Sequence, residues 1–154
     1  MKQYFLLYHF LSYKTKKTDM SHVTSETGKL HRAKNLKILI VEDDVVSVSM
    51  LEIMIEDYCN APLVAKNGLE AVQLCLDNPD IDFVLMDIKM PDLDGYEATK
   101  QIRSFNKDLI IFAQTAYALP GDLEKSIAAG CNDYISKPYS QAELKGLIDK
   151  YFKQ

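Results

Sequence analysis

Four charged positions in this chain of 154 residues could act together: Glu42 and Asp43 at the end of one apolar run, Asp87 at the end of another, and Lys137 beyond a third. A buried strand that stops at a charged group needs a partner for that group. If the three carboxylates share one pocket they repel, since a pair roughly 4 Å apart interacts unfavourably by about 4 kcal/mol at an effective dielectric near 20. Such a cluster requires a cation. Carboxylate oxygens without His or Cys select Mg2+, with Mn2+ as the alternative, over zinc, and a site with few protein ligands keeps waters that a phosphoryl group can displace. A carboxylate can also attack phosphorus to give an aspartyl phosphate. Asp87 is the candidate nucleophile, with the Thr115 hydroxyl and the Lys137 ammonium beside it to offset charge. Taken singly, each residue has an ordinary reading as well. Asp87 could cap a turn, Glu42-Asp43-Asp44 could be a solvated helix start, Thr115 a strand-end turn residue, and Lys137 a solvated loop lysine before Pro138.

The elements that must position these groups are legible in the hydrophobic pattern. Ile38 to Val41 is continuous and β-branched, which suits a strand buried on both faces. A helical pattern follows through Val48, Leu51, Ile55 and Tyr58. Leu63-Val64-Ala65 reads as a second strand, and Asn67-Gly68 opens a helix whose face is expected at Leu69, Val72 and Leu76. Asn78-Pro79 stops it. Phe83 to Met86 gives the third strand, ending at Asp87, and Tyr96, Thr99 and Ile102 give a weaker helix. Leu109 to Phe112, closing at Gln114-Thr115, is the fourth strand. Pro120-Gly121-Asp122 opens a helix through Leu123, Ile127 and Ala128 that stops at Gly130. Tyr134 to Ser136 is the fifth strand, and Ser140 to Glu143 forms a capping box ahead of Leu144, Leu147, Ile148 and Tyr151. Five strands alternating with five helices predict an α/β fold with a doubly wound parallel sheet. Ligands bind beyond the carboxyl ends of such strands, where the polar residues all fall. Neighbouring first and third strands would bring their ends within about 5 Å.

Charge and composition narrow the function. Residues 1–36 carry seven Lys and Arg against two Asp and Glu, and the remainder carries eleven against twenty. The acidic body lacks the basic face that direct nucleic-acid binding needs. Residues 1–36 are expected to be a basic, flexible N-terminal extension, with Met20 a second candidate start. Its apolar run, YFLLYHFLSY, is too short to span a bilayer and lacks a cleavage pattern, so no membrane span is expected. Cys59, Cys75 and Cys131 are widely spaced among apolar neighbours, which suggests buried thiols in a reducing cytosol and a cytoplasmic protein. All three histidines lie within the first 31 residues. The body therefore has no histidine base, ligand or phosphoacceptor.

The motifs VEDD, LMDIKMPDLDG, QTA and YISKP, in this order on five βα units, resemble the receiver domain of two-component response regulators, including chemotaxis-type receivers and those attached to hybrid sensor kinases. The resemblance covers residues 37 to about 152, so the receiver is expected over 37–154. It implies a flavodoxin-like sheet of order 2-1-3-4-5. It also implies Asp87 as phosphoacceptor, and a metal held by Asp43, Asp87 and the Lys89 backbone carbonyl, with Glu42 acting through water. Thr115 and Lys137 match the phosphate-sensing pair, Tyr134 the aromatic switch, and the bond before Pro138 one that is cis in the family. The implied partners are a sensor histidine kinase or histidine phosphotransfer protein, a downstream protein, and a second copy of the chain upon phosphorylation. The chain is then a signalling receiver rather than an enzyme, acting covalently only on its own Asp87. It switches the surface of the fourth helix, fifth strand and fifth helix, with no output domain expected in the sequence.

Lys89 and Tyr117, two residues beyond Asp87 and Thr115, are expected to flank the path of an attacking water and tune dephosphorylation, Tyr117 by shielding the acyl phosphate. The ordinary alternative for Tyr117 is a mobile surface tyrosine. Rival readings remain. An Asp-nucleophile phosphatase or dehalogenase would carry its second acid at position 89, where Lys89 stands. A calcium loop around Asp92 and Asp94 would place its first ligand at Met90 and its twelfth at Gln101, so its register fails. A phosphorylation-independent pseudo-receiver would have no need of the acidic cluster.

Overall fold

The computed structural model describes residues 35–116 and 121–152. The extension expected over 1–36 lies outside the described residues except for its last two, and so does Tyr117. Ten elements alternate in order: β1 (Ile38–Val41), α1 (Val45–Met54), β2 (Leu63–Ala65), α2 (Gly68–Asp77), β3 (Phe83–Asp87), α3 (Gly95–Phe105), β4 (Ile110–Thr115), α4 (Asp122–Ala129), β5 (Asp133–Ser136) and α5 (Gln141–Phe152). The strands form one parallel sheet in the order β2-β1-β3-β4-β5. This is the flavodoxin-like arrangement that the motifs imply.

Alternation along the strands divides the core between the two faces of the sheet. Leu39, Val41, Val84, Met86, Ile111 and Ala113 join Ala71, Cys75, Ala98 and Ile102 of α2 and α3 on one face. Ile38, Ile40, Phe83, Leu85 and Phe112 join Leu51 of α1 and Leu144 and Ile148 of α5 on the other. β1 and β3 are buried at every position, because both faces are covered. Each such fully buried large apolar side chain contributes about 1.5–3 kcal/mol. All three cysteines are buried free thiols.

Local chemistry starts the helices where the strand ends need them. Asp44 accepts the Ser47 amide at 2.9 Å, Asn67 the Glu70 amide at 2.9 Å and Asp94 the Glu97 amide at 2.9 Å. At α5 the expected capping box is present: Glu143 accepts the Ser140 amide at 2.7 Å, and the Ser140 hydroxyl accepts the Glu143 amide at 3.2 Å. Asp92 lies in the left-handed region, with φ 67°, and Asp94 caps α3, so both serve the turn and helix start.

Two helix faces differ from the sequence expectation. In α2 the buried residues are Gly68, Ala71 and Cys75, while Leu69 and Leu76 are exposed. The reason is close approach: a Cβ on Gly68 would meet the Leu93 carbonyl at 2.5 Å and Ala98 Cβ at 3.0 Å, so α2 turns its small residues inward. In α4 the buried residues are Ser126 and Ala129, and Leu123, Ile127 and Ala128 face outward.

Gly95 links the fold to the end of β3. A Cβ there would lie 2.2 Å from the Asp87 carbonyl oxygen and 3.0 Å from Ile88 Cα, both backbone atoms that cannot swing aside. Gly95→Ala is therefore expected to destabilise the domain by about 3 kcal/mol through overpacking, read as a lower urea midpoint at unchanged slope.

Candidate functional site

β1 and β3 are neighbours with Val41 opposite Met86, so the residues that follow them emerge side by side at the carboxyl edge of the sheet. One oxygen from each of Glu42, Asp43 and Asp87 can be chosen so that all three lie within 4.8 Å of one another. Glu42 and Asp87 are buried and form the floor, and Asp43 is exposed at the mouth. Backbone bonds fix the floor. The Glu42 amide donates to the Ala65 carbonyl at 3.0 Å, and the Ile88 amide to the Gln114 carbonyl at 3.1 Å.

Lys137 reaches this cluster from the loop after β5. Its Nζ lies 2.6 Å from Glu42 Oε2 and 3.5 Å from Asp87 Oδ1. Thr115 ends β4 as a buried residue, and its carbonyl accepts the Lys137 amide at 2.7 Å. Two strand ends thus set the height of the ammonium. The Lys89 amide points at Asp87 Oδ1 from 3.4 Å, a long contact at the rim of the site. Tyr134 is half-buried on β5, opposite Ala113, against the core face that holds α2 and α3. The Lys137–Pro138 peptide is cis.

Electrostatics favours a further cation. Burial pushes the Glu42 carboxyl above the usual carboxylate range, with the Asp87 charge adding to the push and Lys137 opposing it. Burial likewise raises Asp87, against Lys137 and the Lys89 amide. Both acids are raised despite the ammonium between them, so one positive charge does not fully compensate the pocket. An all-oxygen donor set suits a hard divalent ion, and the residues present fit Mg2+.

Two residues that sequence reasoning passed over also lie here. Gln114 is fully buried on β4 directly opposite Asp87, and its side-chain carbonyl accepts a hydrogen bond from the Tyr139 hydroxyl. A glutamine within the apolar run IIFAQT was the available signal, because a polar side chain in a covered strand needs a partner. Tyr139 carried none.

Comparison with known proteins places the chain. The response regulator receiver domain family matches residues 38–149. The hybrid signal transduction histidine kinase G of Dictyostelium discoideum is 39% identical over 129 residues, covering 80% of this chain and 4% of that protein. The chain thus corresponds to a small part of that relative's length. Among solved structures, a co-crystal of the Saccharomyces cerevisiae histidine phosphotransfer protein Ypd1 with the receiver domain of its downstream response regulator Ssk1 matches with TM-score 0.71 and 33% identity. It covers 77% of this chain and 90% of that one. A sensor histidine kinase receiver domain from Pseudomonas aeruginosa, with a magnesium ion coordinated in its active-site cleft, matches with TM-score 0.70 and 35% identity, covering 78% and 99%. The motifs, the 2-1-3-4-5 sheet and the family match over 38–149 agree: the chain belongs to the response regulator receiver domain family, the receiver modules of two-component and phosphorelay signalling.

Proposed function

We propose that residues 37–154 form a phosphoacceptor receiver in which Asp87 takes a phosphoryl group from the phosphohistidine of a sensor kinase or a histidine phosphotransfer protein. The observation that carries this reading is the convergence of Glu42, Asp43 and Asp87 within 4.8 Å, with Lys137 Nζ lying against two of them. Asp43, Asp87 and the Lys89 carbonyl would hold Mg2+, with Glu42 acting through water. When bound, Mg2+ supplies positive charge that offsets the phosphoryl oxygens. A carboxylate oxygen of Asp87 forms the new P–O bond as the donor's N–P bond breaks, and the leaving imidazole keeps the electron pair and takes a proton from solvent. Lys137 exchanges its contact on Glu42 for the new dianion, and the Thr115 hydroxyl turns to the same group. The vacated space lets Tyr134 turn inward, which changes the surface of α4, β5 and α5 by a population shift.

A downstream protein reads that surface, and a second copy of the chain is a further candidate for it. Lys89, at the rim of the site, and Tyr117 tune hydrolysis of the acyl phosphate. Among the described residues no helix is long and apolar enough to cross a membrane, which suits the proposed cytoplasmic setting. Lys89, where a phosphatase would carry its second acid, favours a receiver acting on itself over a hydrolase.

The test is incubation with acetyl phosphate and Mg2+. The protein is expected to gain one phosphoryl group, labile to hydroxylamine and mapping to Asp87, and excess chelator is expected to slow the gain at least roughly tenfold. Turnover of free phosphate esters without a stable acyl phosphate would favour the hydrolase instead.

A further inference from the structure

The loop that carries Lys137 is fastened to the end of β4 at two points. The Lys137 amide donates to the Thr115 carbonyl at 2.7 Å, and two residues later the Tyr139 hydroxyl donates to the Gln114 side-chain carbonyl. The second fastening is side chain to side chain, across 25 positions of sequence. Gln114 has little freedom, because its backbone pairs with Asp87 in the sheet and its carbonyl accepts the Ile88 amide at 3.1 Å. Its buried Nε2 finds no hydrogen-bond partner among the described residues, so the amide group depends on the bond from Tyr139. Burial, with Glu42 and Asp87 adding to it, pushes the Tyr139 hydroxyl up, so it keeps its proton and remains a donor.

Tyr139 packs against the core face that holds α1 and α5, but that packing leaves room on one side. A cavity of about 200 Å3 lies beside the loop, lined by Met50, Leu51, Met54 and Tyr139 and, toward the site, by Glu42 and Lys137. Without the hydrogen bond the Tyr139 ring has apolar space to settle into, and the backbone of 137–139 would follow it. Lys137 Nζ already rests closer to Glu42, at 2.6 Å, than to Asp87, at 3.5 Å. A small drift of the loop would remove its reach toward Asp87.

We propose that Tyr139 is a positioning residue for phosphoryl transfer: through Gln114 it fixes the Lys137 loop against the strand end opposite Asp87, which aims the ammonium at the transferring group. This rests on the reading of Asp87 as phosphoacceptor and names residues that hold that site in register. With acetyl phosphate, Asp87 forms a P–O bond as the bond between phosphorus and the acetyl oxygen breaks, and acetate leaves with the electron pair. Lys137 must meet the equatorial oxygens during that exchange, so a misplaced loop slows it.

The experiment compares wild type, Tyr139→Phe and the double variant Gln114→Met/Tyr139→Phe. The single variant strands a buried amide and is expected to lower the urea midpoint, whereas the double variant replaces both polar partners and is expected to recover it. The rate of Asp87 phosphorylation by acetyl phosphate is expected to fall roughly tenfold in both. Mg2+ affinity by calorimetry should not fall, because Glu42, Asp43 and Asp87 are untouched and an ammonium drawn away from Asp87 competes less with the ion. A slow double variant with restored stability and undiminished Mg2+ binding supports positioning, since a purely structural role would recover with the midpoint. Wild-type rates in either variant overturn the inference, and so does a Mg2+ affinity that falls in step with the rate. If wild type gains no phosphoryl group on Asp87, the reading of the site fails and this inference with it.

Discussion

Asp87→Asn is expected to abolish phosphoryl acceptance while leaving the domain folded and at least as stable as wild type. The carboxamide keeps the shape of the carboxylate and an oxygen to accept from the Lys89 amide, which lies 3.4 Å from Asp87 Oδ1. What it loses is the anionic nucleophile, and no other carboxylate takes its place. Glu42 is bound to Lys137 at 2.6 Å on the β1 side, and Asp43 lies exposed at the mouth. Stability should not suffer, because burial disfavours the charged form of Asp87 and raises its carboxyl above the usual range, a penalty the neutral carboxamide does not carry. Removing that charge also relieves Glu42, which the Asp87 charge pushes up. The measurements are intact mass after acetyl phosphate and the urea midpoint in chelator. No added phosphoryl group and a midpoint at or above wild type are expected. A hydroxylamine-labile phosphoryl group on the variant would sink the assignment of Asp87.

Residues 84–95 carried most of what was legible in the sequence. An apolar run that stops at a carboxylate and then turns through Met90-Pro91 marked the end of β3, and the same stop at Glu42 marked the end of β1. Period and punctuation sufficed for the ten elements, because each strand is short and each crossover is helical. The faces of α2 and α4 were not legible. Leucine is the usual marker of a buried stripe, but α2 approaches Leu93 and Ala98 so closely that only Gly68, Ala71 and Cys75 fit, and Leu69 and Leu76 turn to solvent. Helix–helix distance decides that, and no local pattern encodes it. The Gln114–Tyr139 pair escaped for a related reason. Each partner is ordinary in its own segment, and only the β4–β5 register, with Thr115 opposite Ser136, brings the loop after β5 back to the end of β4.

The same register makes Lys137 the residue whose loss should be felt in stability and transfer together. In Lys137→Met the aliphatic stem is retained and the ammonium removed, leaving Glu42 and Asp87 buried without the cation that contacts both. Breaking a buried pair by deleting one partner costs about 3–5 kcal/mol, and the partial exposure of Lys137 brings the expectation to about 2–3 kcal/mol in chelator at neutral pH. The pH dependence has a definite sign. Both acids have folded pKa values raised by burial, so the penalty for charging them is absent below the ordinary carboxylate range and grows as pH rises through their folded values. The gap between wild type and variant should therefore be widest at neutral pH and close as the medium is acidified. Mg2+ should close it too, and should bind the variant roughly tenfold more tightly, since the ammonium competes with the ion for the same carboxylates. Phosphoryl transfer should nonetheless fall roughly a hundredfold, because the lost donor serves charge that develops only during the transfer. Tighter Mg2+ with slower transfer is the combination that identifies Lys137 as a phosphate ligand rather than a structural counter-ion. A variant that binds Mg2+ more tightly and still transfers at the wild-type rate would assign it the structural role alone.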